Sequence, residues 1–266
     1  MQKTNIEWVK NPDGSQGYSW NPITGCLDRC GYCFARRLAH GRLRSKYLAN
    51  DILAPRDEPN RRDHSANPFY PRFWPERLKE LPGPKPWDDK GGRTGVSRRR
   101  DTTPKGIFVC NMCEFFGDWL PDKWQSEVFK VVRANYQHRF YFLTKQPWNV
   151  ARFSPFPDNC WIGVTVCDKQ MAFRAWWYYF KMVRAKVKFI SFEPLLDDVM
   201  EPRGLFKVED SDWVIIGSQT RPDLLPRKEW VDEIVEAADK AGVPVFLKDN
   251  LKPLMGDKLR QELPVS

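Results

Sequence analysis

Tyr18-Ser-Trp20-Asn-Pro-Ile-Thr-Gly-Cys26-Leu-Asp-Arg-Cys30-Gly-Tyr-Cys33 decides how the chain is read, together with the amphipathic run that follows it from Phe34 to about Leu48 (Phe34, Leu38, Leu43, Tyr47). It reads as a short strand, a turn, a loop of three cysteines and a helix. The cysteines are spaced C-x3-C-x2-C, with Tyr32 just before the last. A cubic iron–sulfur cluster ordinarily takes four thiolates. A tight loop that supplies three leaves one iron open to a small molecule, and an open position is where a metal site performs chemistry. Two other readings stay open. Zinc prefers a tetrahedral set built from C-x2-C pairs with a fourth Cys or His, and His40 stands seven positions on. The three thiols can also be unrelated core residues.

Outward from this loop, short apolar runs alternate with amphipathic ones. Strands are expected at 106–110, 139–145, 161–166, 187–192, 213–217 and 243–248, and helices at 122–136, 170–183 and 229–241, the last stopped by Gly242. With the strand at Tyr18 this makes seven. Alternation of this kind argues for a parallel sheet, so the expected fold is α/β: a full or partial β/α barrel of about six to seven parallel strands, one domain over residues 1–266. An irregular, proline-rich insertion at about 49–105 interrupts it, with one short helix expected at 75–81. Its segment Arg93-Thr-Gly-Val-Ser-Arg98-Arg99-Arg100 reads either as a solvated loop or as a phosphate-contacting arm.

In such a barrel the site lies at the C-terminal ends of the strands. The residues there are polar in every case: the cysteines, then Asn111 to Glu114, Thr144-Lys145, Thr165 with Cys167 and Asp168, Glu193-Pro194, Gly217 to Arg221, and Lys248-Asp249-Asn250. Lysine and arginine number 43 against 34 aspartates and glutamates, a net charge of +9. That suits a polyanionic partner such as nucleic acid, although many basic proteins bind none. Residues Met1 to Trp8 contain no apolar signal-type segment, and no apolar run approaches membrane-spanning length. Seven cysteines, an odd number in clustered spacings, fit a reducing, cytoplasmic setting better than a disulfide scaffold.

The cysteine spacing with its aromatic residue resembles the signature of the radical S-adenosylmethionine (SAM) enzymes. Trp20-Asn-Pro-Ile-Thr-Gly-Cys26, Phe142-Leu-Thr-Lys145, Trp161-Ile-Gly-Val-Thr165 and Ser191-Phe-Glu-Pro-Leu-Leu196 are similar to a phage-associated branch of that superfamily, over nearly the whole chain except about 85–104. The resemblance implies a barrel of radical SAM type, a [4Fe–4S] cluster on Cys26, Cys30 and Cys33, and SAM bound at the open iron. It implies Tyr32 near the adenine, Asn111 to Glu114 facing the SAM amino group, Thr165 and Glu193 at the ribose hydroxyls, and Gly217 where backbone approaches the adenine. Lys145, Gln219, Arg221 and Lys248 are then the substrate-binding candidates. The implied reaction removes a hydrogen atom and rearranges or modifies a nucleobase substituent, an isomerase- or transferase-type change. The implied substrate is a base or nucleoside, such as a modified pyrimidine in phage DNA, flipped from any duplex. It further implies an external electron donor of flavodoxin or ferredoxin type, no membrane, and, for a phage protein, the host cytoplasm. The chain departs from the branch in three places. Its first cysteine gap is three residues where the branch often has more. Gly217-Ser218-Gln219 replaces Gly-Gly-Glu, and Lys248-Asp249 replaces Lys-Gln.

Four cysteines remain. Cys110-Asn-Met-Cys113 with Cys160 and Cys167 could hold a second cluster, or Cys110 and Cys160 are core thiols; Cys167 is also a candidate hydrogen-atom donor to a substrate radical. Trp176-Trp-Tyr-Tyr-Phe180 reads as helix packing or as a base-stacking platform. Two rival functions stay in view: a radical SAM enzyme for a small metabolite or peptide, and a zinc-stabilised nucleic-acid-binding module without catalysis.

Overall fold

The computed structural model describes residues 1–55, 64–81, 103–200 and 207–264. Its strands are β1 (Gln2–Lys3), β2 (Tyr18–Trp20), β3 (Ile23–Thr24), β4 (Arg72–Phe73), β5 (Gly106–Val109), β6 (Arg139–Thr144), β7 (Cys160–Thr165), β8 (Val187–Phe192), β9 (Trp213–Ile216) and β10 (Val245–Leu247). Eight of them form one sheet in the order β1-β2-β5-β6-β7-β8-β9-β10. The seven from β2 to β10 run parallel, and β1 is antiparallel to β2. The fold is therefore α/β with a mostly parallel sheet. Among the described residues no ladder joins β10 to β1, so the closed form of the expected barrel is not made.

The strands are apolar on both faces because both are covered. On one face Ile107, Phe140, Phe142, Ile162, Val164, Ile190, Val214 and Val245 pack in a single cluster with residues of the flanking helices. Helix α1 (Phe34–His40) and α2 (Arg44–Leu48) follow the cysteines, α3 (Asp122–Ala134) follows β5, and α4 (Pro147–Val150) follows β6. Then come α5 (Lys169–Arg174), α6 (Lys228–Ala241) and α7 (Lys252–Met255). Trp124, Val128, Phe129 and Val132 of α3 and Val231, Ile234 and Ala238 of α6 are the buried stripes. Gly242 ends α6 with φ +69°, its N–H reaching the carbonyls of Ala238 and Asp239.

On the other face Phe108, Tyr141, Trp161, Phe189, Trp213 and Phe246 form a second cluster around Trp8. The Trp8 ring lies 5.0 Å from Phe108 and 6.0 Å from Trp213, centroid to centroid. Those rings belong to β5 and β9, four steps apart, or ~19 Å in a flat sheet. Only strong inward curling brings both against one indole. Gly163 belongs to this packing: a Cβ there would run into the Phe189 ring.

Several expectations change. The helix expected over 34–48 is broken at Gly41 into α1 and α2. The run 170–183 is α5 continued by a π-helical turn, Ala175–Phe180. The helix at 75–81 is a 3-10 segment, Pro75–Glu80. The described parts of the insertion are ordered around Arg72, which is fully buried. Its guanidinium donates to the carbonyls of Asn50, Ser65, Asn67 and Tyr70, which is what makes a buried charge tolerable. The expected arm, Arg98 to Arg100, lies outside the described residues. Among the described residues no helix is long and apolar enough to cross a membrane.

Trp8→Ala empties the centre of the concave face and is expected to cost about 3–5 kcal/mol in denaturant unfolding. Trp8→Phe, which keeps the ring but loses the indole N–H, should cost clearly less.

Candidate functional site

The pleat of the curled sheet sorts residues by depth. Alternate residues point inward, so each strand presents an inner row. The rows are Tyr141, Leu143, Lys145 on β6 and its exit, Trp161, Gly163, Thr165 on β7, and Phe189, Ser191, Glu193 on β8. Trp213, Ile215, Gly217 on β9 and Phe246, Lys248 on β10 complete them. In each row the aromatic residue comes first and the small or polar residue last, at the C-terminal end. There a cavity of about 970 Å³ opens, with Trp8 in its wall beside Lys145, Thr165, Glu193 and Lys248.

The cysteine loop forms the opposite wall. Gly25 N–H donates to the Met112 carbonyl (2.9 Å) and Cys26 N–H to that of Phe69 (3.0 Å), which fixes where the loop starts. Cys33 caps α1, its Sγ accepting from Arg36 N–H at 3.3 Å. Cys26, Cys30 and Cys33 all line the cavity, with Tyr32, Cys110 and Cys113. Burial, with the charges of Asp28 and Glu114, pushes the Cys26 thiol far up. Burial also raises Cys30, against the pull of Lys145. Asp28 lines the cavity too; its Oδ1 accepts from Gln146 at 3.4 Å while its Oδ2 is enclosed without a donor.

Glu193 stands where the floor meets the wall. Its Oε2 accepts from the Trp8 indole (3.0 Å) and the Ser191 hydroxyl (3.3 Å), and its Oε1 pairs with Lys248 Nζ. Burial works against the Lys248 charge, but Glu193, Glu7 and Asp249 outweigh it and hold the ammonium above its ordinary value. Lys145 Nζ reaches Thr165 Oγ1 at 3.4 Å. Burial opposes its charge as well, outweighed by Cys167, Cys30, Glu114 and Glu193. Glu114 is a clasp: Oε1 accepts from Thr144 Oγ1 (2.6 Å) and Phe116 N–H (3.2 Å), Oε2 from Lys145 N–H (2.8 Å). Asn111 Oδ1 accepts from Asn21 Nδ2 at 2.7 Å, and both residues line the cavity.

Other expected residues fall elsewhere. Gly217 is small because Lys248 and Glu193 crowd it; a Cβ would come within 2.8 Å of Lys248 Cδ and 3.0 Å of Glu193 Cγ. Gln219 lines the cavity, but its amide side chain donates to the Pro222 carbonyl (3.0 Å). Arg221 is exposed and outside the cavity lining. Cys167 is buried behind the lining, its Sγ 3.2 Å from the Tyr32 hydroxyl.

The cysteines of the imagined second cluster do not converge. Cys160 begins β7 and Cys167 lies beyond its end, ~20 Å apart at the rise of a strand. His40 is exposed at the far end of α1. Among the described residues no three His, Cys, Asp or Glu side chains are gathered to hold a single metal ion. Cys26, Cys30 and Cys33 share one wall of the cavity.

The profile of the DUF5131 family, described as a protein of unknown function, matches residues 3–254. The chain belongs to the DUF5131 family. No curated protein and no solved structure matches it. The DUF5131 match covers both walls of the cavity, from β1 to α7. Sequence reading missed Trp8, Asn21 and Asp28 in this site. Trp8 lies outside the strand-end pattern; Asn21 directly follows β2 but is overshadowed by the cysteines beyond it, and Asp28 sits inside the cysteine loop, where only the thiols drew notice.

Burial pushes the Glu114 carboxyl up to about 7, against the pull of Thr144 and Lys145. The folded chain then keeps a proton that the unfolded chain, near 4.5, has released. This contribution to stability is whole below that value and is lost as pH rises towards 7. Melting across this window should therefore fall less steeply with pH for Glu114→Gln than for the unaltered protein; equal slopes would remove Glu114 as the group responsible.

Proposed function

We propose that this chain is a radical SAM enzyme, in which Cys26, Cys30 and Cys33 hold a [4Fe–4S] cluster at the mouth of an incomplete β/α barrel. One observation carries the reading: three free thiols at C-x3-C-x2-C spacing share a cavity with the inner-row polar residues at the C-terminal ends of the parallel strands. That end is where β/α barrels keep their chemistry. When bound, a cluster of this kind with SAM supplies a carbon-centred radical able to take a hydrogen atom from an unactivated position.

The chain's own residues bind, orient and exclude water. Glu114 welds the β5 exit to the end of β6 and so fixes the wall behind the cysteines. Glu193, held by Trp8, Ser191 and Lys248, offers a fixed acceptor to sugar hydroxyls. Lys145 brings a retained positive charge to a substrate phosphate or carbonyl oxygen. Tyr32 is tied to Cys167 on one side and faces the Lys145 ammonium, 5.9 Å from its ring, on the other. Trp8 and the aromatic rows beneath it close the floor.

The substrate we favour is a base or nucleoside in DNA, such as a modified pyrimidine of phage DNA, altered in an isomerase- or transferase-type step. The net charge of +9 suits it. The reduction would draw on a flavodoxin- or ferredoxin-type donor in a reducing cytoplasm.

Anaerobic reconstitution with iron and sulfide is expected to give a brown protein that forms 5′-deoxyadenosine from SAM and a chemical reductant. Cys26→Ala, Cys30→Ala and Cys33→Ala should each abolish both properties, and Cys160→Ala neither. A colourless protein carrying stoichiometric zinc overturns the reading. Mass spectrometry of nucleosides from DNA treated with the active protein, with deuterium carried into 5′-deoxyadenosine, tests the substrate class.

A further inference from the structure

The outer flank beside the cavity carries a surface that the proposed reaction does not use. Phe173 and Trp177 are each 48% exposed, Met182 54% and Trp148 37%. Large apolar side chains clustered on a surface mark an interaction site. Phe173, Trp176 and Trp177 form a row: the Phe173 and Trp176 rings are 6.3 Å apart and those of Trp176 and Trp177 5.6 Å. Cations are set into it. Lys181 Nζ lies 3.9 Å from the Trp176 ring centre and 4.8 Å from that of Trp177, and the Arg174 guanidinium lies 5.6 Å from that of Trp148.

This stretch of chain is rich in one sign of charge, with Asp168 at the helix cap and Asp212 beside Lys188 as the acids around it. From Lys169 to Phe192 the chain carries Lys169, Arg174, Lys181, Arg184, Lys186 and Lys188 and not one carboxylate. The stretch from Lys145 to Pro157, which contributes Trp148, also has none. Exposed π faces interleaved with cations along an acid-free helix suit a chain of flat bases on a polyanionic backbone. A lipid surface fits less well, because Lys181 lies across the indole faces instead of leaving them to project together.

The position adds to this. Helix α5 starts at its cap Asp168, just past Thr165 in the cavity wall, and Phe173 is ~7 Å of helix rise from that cap. Trp148 is three residues beyond Lys145. A strand lying on the flank would reach the rim within a nucleotide or two.

We propose that Trp148, Phe173, Trp176, Trp177, Arg174 and Lys181 form a stacking platform for single-stranded nucleic acid that leads to the cavity mouth. The platform does not depend on the cluster, so its test uses the full-length protein without SAM or reductant. Anisotropy of fluorescein-labelled oligothymidylate should report binding that weakens as salt rises. Duplex of the same length should bind more weakly, because its bases are already stacked. The double change Phe173→Ala with Trp177→Ala should weaken binding about tenfold or more, and Trp177→Phe should restore most of it. Lys181→Glu should weaken binding and flatten the salt dependence. None of these exposed changes should alter melting or formation of 5′-deoxyadenosine, so the platform and the radical reading can fail separately. The proposal is overturned if oligothymidylate does not bind at low salt, or binds the variants as it binds the unaltered protein. It is also overturned if polyglutamate or anionic phosphatidylserine vesicles bind more tightly than the oligonucleotide, which would make the surface a dock for an acidic protein or a membrane.

Discussion

The indole of Trp8 is the constraint on which the sheet and the cavity both depend. It meets rings from β5, β6, β8 and β9 at 5.0 to 6.0 Å, and a single residue can do so only if the sheet wraps around it. Edge-to-face and tilted aromatic packing adds to the area buried, so the same contacts that curl the sheet also stabilise it. The ring is delivered by an N-terminal segment that is itself held: Gln16 donates to the carbonyls of Ile6 and Val9, and Gly17 N–H to Val9. The polar edge of the indole points the other way, to Glu193. One side chain therefore ends the apolar interior and begins the polar cavity.

Above that floor burial disfavours the thiolate form of several cysteines. A cysteine that attacks a substrate needs its thiolate stabilised at neutral pH. Here burial raises Cys26, Cys30, Cys113 and Cys167. A bound metal reverses this, because coordination removes the thiol proton. The two lysines behave oppositely. Both are half-buried, and the charges around them, Glu193 in both cases, hold them above their ordinary values. The cavity thus sets two cations, Lys145 and Lys248, at the strand ends that share its lining with the cysteine loop.

The strands were legible because they are apolar, short and bounded by turn residues, and seven of them run as expected. A curved sheet was expected from their number and alternation, but what holds the curve was not legible, since it rests on Trp8, in a segment without strand or helix pattern. Neither was β1, two residues long and antiparallel. The polar strand ends were legible through the period of two, which brings Lys145, Thr165, Glu193 and Lys248 into one cavity. At other strand ends a residue's packing is set by a neighbour. Gly217 makes room for an ion pair, Glu114 spends its oxygens on the frame, and Arg221 points to solvent. Cys110 read as a core thiol and is buried, but a left-handed turn (φ 58°) also sets it on the cavity wall. The insertion read as structureless, and its described parts are organised by one arginine donating to four carbonyls, an interaction with no sequence period.

The same logic divides the cavity rim into fixed and variable parts. On the β10 side, Ser218 N–H donates to Asn250 Oδ1, Ser218 Oγ to the Asn250 carbonyl, and Asn250 Nδ2 back to the Ser218 carbonyl. With Gly217 pressed against Lys248 and Glu193, β9 and β10 exits are locked as one body. On the cysteine side, Gly25 and Cys26 are pinned by backbone bonds. Between these two bodies stands the turn from Gln219 to Leu224, closed by reciprocal backbone bonds. Arg37 of α1 donates to the Arg221 carbonyl at 3.2 Å, so the cysteine-bearing helix and this turn meet across the mouth. Gln219 opens that turn and Ser218 precedes it, whereas Asp249 sits apart, its N–H on Glu7 Oε2. A change in this turn therefore bears on the cysteine-bearing helix through Arg37, and on the β9 exit through the neighbouring Ser218.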